Sequence, residues 1–109
     1  MCKAKLIKRF MMVFTPSEIE RITFEMKDEA IEVVKVDVHG LKCAIARRFI
    51  NNIINLILGS FKLIVIHGFN HGTAIRDMLR QSFSNIKIDE IFSIVENDGV
   101  TCMTIHSYY

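Results

Sequence analysis

One proline and five glycines among 109 residues argue against a disordered or low-complexity chain. Cysteine is equally sparse. Cys2, Cys43 and Cys102 are odd in number and lack C-x-x-C spacing, which excludes a disulfide framework and a paired-cysteine zinc site and suits reduced thiols. No charge dominates either. The formal net charge of +2 is too small to demand a nucleic-acid partner, so any basic surface must be local. No apolar run approaches the roughly 18 residues of a membrane span. The run Phe10 to Phe14 is too short for a signal-peptide core and stops at Thr15-Pro16. These absences lead us to expect a cytoplasmic domain away from the membrane. No internal repeat, H-x-H, H-E-x-x-H or aromatic base-stacking pattern is present.

What is present is a core-forming chain, half of it hydrophobic, with the length of one domain. The stretch from Leu63 to Arg76 organises it. Leu63-Ile64-Val65-Ile66 is a buried-strand run, His67-Gly68 breaks it, and helical spacing begins at Thr73 with Ile75, Met78, Leu79 and Phe83 on one stripe. A strand, a glycine loop and a helix in succession aim helix-start N–H groups at the loop, where anions are favoured.

The rest of the chain is read around that junction. Residues 4–14 read as a strand from their apolar content. Thr15-Pro16-Ser17-Glu18 is a helix start with a capping box. The segment Ile19 to Met26 fits a short helix or a strand, its Ile22, Phe24 and Met26 alternating. Residues 1–30 therefore form an extension, a strand with a short helix or hairpin, that covers a sheet edge or makes a homodimer contact. From Ile31 the order is β-α-β-α-β-β. A strand ends at Asp37-Val38-His39-Gly40. The helix from Leu41 to Leu58 buries Ile45, Phe49, Ile53 and Ile57 and wets Arg48, Asn51, Asn52 and Asn55. Strand Phe61–Ile66, helix Thr73–Phe83, strand Ile86–Val95, a turn at Glu96-Asn97-Asp98-Gly99 with Asp98-Gly99 as its hairpin signal, and strand Val100–Ile105 follow. Two right-handed βα units place both helices on one face, giving a two-layer α/β sandwich with a four-stranded mixed sheet.

Three motifs fall at the ends of these elements. Val36-Asp37-Val38-His39-Gly40-Leu41 resembles the Leu-Asp-Leu-His-Gly motif that opens the small MutS-related (Smr) domain. Ile66-His67-Gly68-Phe69-Asn70 with Gly72 resembles that family's Thr-or-His, Gly, x, Gly loop. Asn97-Asp98-Gly99-Val100-Thr101 resembles its closing Asn-x-Gly-x-Thr hairpin. The resemblance covers about Val34–Ile105, so residues 31–109 are expected to be the Smr-like domain. It implies a fold similar to the C-terminal domain of translation initiation factor three. It also implies nucleic-acid binding, DNA or RNA, with nicking or RNA-cleaving endonuclease activity in several members. In one departure Asn70 stands where the family has its second loop glycine; Asn tolerates positive φ better than most residues.

The chemistry expected of these residues has two versions. In the catalytic version His39 and His67 share proton transfer on a phosphodiester and Asp37 fixes the geometry. Gly40, Gly68, Asn70, His71, Gly72 and Arg76 contact the nucleic acid, with Arg76 on a phosphate. In the other version Asp37 and His39 cap a turn, the loop residues are solvated, and the domain is a non-catalytic nucleic-acid, ribosome or protein binding module. Arg80 is assigned to a solvated helix face in both. No cofactor is called for. Asp37, His39, His67 and His71 lack the close grouping of a metal site, so none is assigned, although a divalent ion such as Mg²⁺ or Mn²⁺ is compatible with such ligands.

Overall fold

The computed structural model describes residues 3–68 and 72–106. Among these residues nine elements follow one another: α1 (Lys3–Val13), α2 (Pro16–Ile19), β1 (Ile22–Lys27), β2 (Ala30–Asp37), α3 (Cys43–Leu56), β3 (Phe61–Ile66), α4 (Ala74–Gln81), β4 (Ile88–Ile94) and β5 (Asn97–Ile105). From β2 onward the order is the expected β-α-β-α-β-β. The strands lie in one sheet in the order β1-β2-β3-β5-β4. Among the described residues only β2 and β3 are parallel, with α3 as their crossover; the other neighbouring pairs are antiparallel.

Strand periodicity decides which face is covered. Phe24, Val34 and Leu63 are neighbours in register, and so are Ile22, Val36 and Val65. Their side chains join Met103 and Ile105 of β5 in one core with Phe49, Ile50, Ile53 and Ile54 of α3 and Ile75, Met78 and Leu79 of α4. Alternate residues such as Thr23, Lys35 and Lys62 stand on the other face.

The N-terminal segment departs from expectation. Residues 4–13 are helical, not extended, with Phe14 just past the helix end. Leu6, Phe10 and Phe14 are buried four residues apart, whereas Met11 and Met12 are 66% and 86% exposed. A one-sided stripe at that spacing is helical, and it overrides the run of consecutive apolar residues. Phe10 packs on Phe14 and Phe24, and Phe14 packs edge-on to Phe49, with ring centroids 5.1–5.4 Å apart. The capping box at Thr15 and Glu18 forms as read, opening the one-turn α2. The open segment Ile19 to Met26 resolves largely as β1, which pairs with β2 and makes the sheet five-stranded where four were expected.

Ile45 is 38% exposed, and Ala46, Ile50 and Ile54 take part in the buried face of α3 instead. The β4–β5 turn is Val95-Glu96, because Ile94 pairs with Asn97. Asp98 and Gly99 instead fall in an irregularity of β5, where Asn97 Oδ1 accepts the Gly99 N–H at 3.0 Å. That bulge carries Asp98 to Arg76 and Arg80 of α4.

Candidate nucleic-acid site

The carboxyl ends of the two parallel strands, β2 and β3, lie side by side, the usual place for ligands in α/β sheets. Val38 N–H donates to Ile66 O at 2.9 Å and joins the two loops. After β2 the chain turns through Val38-His39-Gly40-Leu41, closed by Leu41 N–H to Val38 O at 3.1 Å. Gly40 has φ +79°, the conformation that a type II turn requires at its third residue. After β3, Gly68 has φ +71°, and its backbone approaches His39 closely enough that a Cβ there would lie 3.7 Å from the His39 Cβ.

Between the loops and the starts of α3 and α4 is a cleft of about 490 Å³. His39, Gly40, His67, Gly68, Gly72 and Arg76 line it, over an apolar floor that includes Leu41, Ile66 and Ile75. The structure thus brings six of the nine sequence-derived site residues to one cavity. Asp37 touches it through His39. Asn70 and His71, the remaining two, lie outside the described residues.

Asp37 and His39 form a compact pair. One Asp37 carboxylate oxygen, Oδ1, accepts the His39 backbone N–H at 3.1 Å and sits 2.5 Å from His39 Nδ1. With the proton on Nδ1 donated to the carboxylate, Nε2 carries the free lone pair. The two side chains are 39% and 65% exposed, so the imidazole stands in solvent reach at the cleft.

His67 is the opposite case. It is only 6% exposed, and both ring nitrogens are engaged. Nδ1 lies 2.9 Å from Gly68 O and Nε2 lies 2.9 Å from Thr101 Oγ1. A carbonyl only accepts, so Nδ1 carries the proton, and the Thr101 hydroxyl donates to Nε2 in the neutral ring. Burial pushes its pKa below the ordinary 6.5. The folded state therefore resists the proton that the unfolded chain accepts. Stability is full above about pH 6.5 and falls as pH drops through the window below it. We expect part of the acid-side loss in urea melts to disappear in His67→Gln; an unchanged pH profile would contradict this placement.

The cations beside the cleft are partnered. Arg76 is paired with Asp98 through Nη1 and bonds Asp77 Oδ1 through Nε at 3.2 Å. The Thr73 hydroxyl, donated to the Asp77 carboxylate at 2.8 Å, acts with Arg76 to hold that carboxyl below its usual range. Arg80 is not a merely solvated residue. It reaches Asp98 Oδ1 at 3.3 Å, Thr101 Oγ1 at 3.3 Å and Val100 O at 3.5 Å. Asp98, delivered by the β5 bulge, thus ties two arginines of one helix face to the strand that holds His67. The Arg76-to-Arg80 spacing gave half of this arrangement; the bulge that brings Asp98 to both has no local signal.

Arg21 carried no signal at all. Its backbone O accepts the Asp37 N–H at 2.9 Å, and its Nη1 donates to Asp37 O at 3.0 Å and His39 O at 3.4 Å. The β1–β2 register, Ile22 opposite Val36, is what sets residue 21 beside residue 37. Among the described residues no cluster of three or more His, Cys, Asp or Glu has a metal-holding arrangement, and no helix is long and apolar enough to cross a membrane.

No family model and no curated protein matches the sequence. Among solved structures the fold is similar to the Smr domain of Thermus thermophilus MutS2, with 24% sequence identity and a TM-score of 0.47 over 66% of this chain and 96% of that one.

Proposed function

We propose that this domain binds nucleic acid at the β2–β3 cleft and cleaves a phosphodiester there with His39 as the proton carrier. The observation that carries the reading is the Asp37–His39 pair, an oriented and solvent-reachable imidazole at the edge of a cleft lined in part by glycine backbone. Asp37 fixes the ring and favours the tautomer whose Nε2 can take a proton from an attacking water or sugar hydroxyl. Any imidazolium formed is then stabilised by the adjacent carboxylate. Backbone at Gly68 and Gly72 lets a phosphate approach without a side chain in the way. Arg76 supplies positive charge at the cleft wall, tempered by Asp77 and Asp98. His67 holds the β3 loop to β5 through Thr101; proton transfer falls to His39 alone. Asn70 and His71, in the same loop of the sequence, are assigned to contact with the nucleic acid on the motif resemblance.

The three motifs in register with the Smr pattern support the same reading, since nucleic-acid binding and endonuclease activity are what that resemblance implies. The test is incubation of the purified protein with supercoiled plasmid and, in parallel, end-labelled RNA, with and without added divalent metal. Nicked plasmid or shortened RNA from the wild type, absent with His39→Ala, supports the reading. Binding without product in every condition would leave the non-catalytic module.

A further inference from the structure

His39 does not belong to one cleft only. A second groove, of about 530 Å³, opens on the sheet face opposite the helices. Arg21, Lys35, Asp37 and Glu20 line it, and it shares His39 and Ile66 with the first cleft. The imidazole therefore stands on the ridge between two cavities. Each has the volume of a small-molecule site, room for a nucleotide or two but not for a duplex. One wall of the second groove comes from the N-terminal segment, outside the three motifs.

The cations in and around the two cavities differ in availability. Lys35 is paired with Glu25 at 3.2 Å, and Arg76 and Arg80 are held by Asp98. Among the described residues Arg21 has no carboxylate partner at ion-pair distance. Its two bonds both use Nη1 and both go to neutral carbonyls, so Nη2 and Nε keep their donors. A guanidinium held by one corner, with its remaining fork turned to no acid, is suited to a phosphate oxygen.

We propose that Arg21 is the phosphate-binding residue on the sheet side of His39, so that a single nucleic-acid strand crosses the ridge from the helix-side cleft into this groove. The proposal rests on the functional reading above and deepens it. Arg21 contacts the phosphate that flanks the one at His39. Through the carbonyls of Asp37 and His39 the same side chain also steadies the pair.

The test is binding of a fluorescein-labelled single-stranded oligonucleotide to the full chain by fluorescence anisotropy, across a range of salt concentrations. The variants are Arg21→Gln, which keeps an N–H donor for the two carbonyls, and Arg21→Lys, which keeps the charge. Loss of one phosphate contact lowers the slope of log K against log salt by about 0.7 for a single strand. Arg21→Gln is expected to show that loss, with affinity down about tenfold at low salt, at an unchanged thermal midpoint. Arg21→Lys is expected to keep most of the slope. A wild-type slope in a folded Arg21→Gln would overturn the Arg21 assignment and leave the functional reading standing. No binding by the wild type would overturn the functional reading, and this assignment with it.

Discussion

His39→Ala is expected to lower phosphodiester cleavage by about 10²- to 10⁴-fold, the usual contribution of a positioned acid or base. The fold should not change. The His39 side chain is 65% exposed, and among the described residues its hydrogen bonding is to Asp37 alone. Its backbone N–H, which also bonds Asp37, survives the substitution. Asp37→Asn should act through the ring: the amide still has an oxygen for Nδ1–H but no charge to stabilise an imidazolium, so the loss should be smaller. His67→Gln makes the internal comparison. Because the His67 ring is buried between Gly68 O and Thr101 Oγ1, its replacement should cost stability before it costs the chemical step. Full activity in His39→Ala would remove the proton-transfer role.

Lys87→Met is expected to be the more damaging change for stability. Lys87 is 9% exposed, and its Nζ donates to Ile54 O and Ile57 O, each at 2.8 Å. These are carbonyls at the C-terminal end of α3, which have no partner within the helix and attract positive charge. Burial pushes the ammonium's pKa down, which measures the cost of holding the charge there. Methionine removes that cost but leaves two carbonyls without donors, at about 1–3 kcal/mol for a group left unsatisfied. A net loss of about 2 kcal/mol corresponds to a thermal midpoint lower by roughly 8–16 °C in a domain of this size. Lys27→Met, at an exposed strand end, should stay within about 0.5 kcal/mol. Equal melting of Lys87→Met and the wild type would show that the two carbonyls find other partners.

Some of this was legible in the chain and some was not, for physical reasons. The β2-to-β5 succession was readable because β-branched strands alternate with one-sided helices, and glycines mark the junctions. His39, Gly40, His67, Gly68, Gly72 and Arg76 could be grouped because each lies at an element's end on the same side of the sheet. The β1–β2 hairpin was not readable. Its turn residues Asp28 and Glu29 take φ of +51° and +64° without the glycine or asparagine that announces such a turn. The fifth strand, and Arg21 with it, follow from that hairpin. At Asp98-Gly99 the reverse happened: a strong turn signal was used for a bulge, and the turn formed at Val95-Glu96. The contacts of Lys87 with α3 and of Asp98 with α4 join residues 18 or more positions apart, where sequence pattern carries no register.

The most direct test of the central claim is a map of backbone amide shifts in the ¹⁵N-labelled protein as a single-stranded oligonucleotide is added. The account predicts that the largest changes gather at Asp37–Leu41, Ile66–Gly68 and Gly72–Arg76, with a second group at Arg21 and Thr23. Changes confined to surfaces away from the ends of β2 and β3, or none at saturating oligonucleotide, would contradict it.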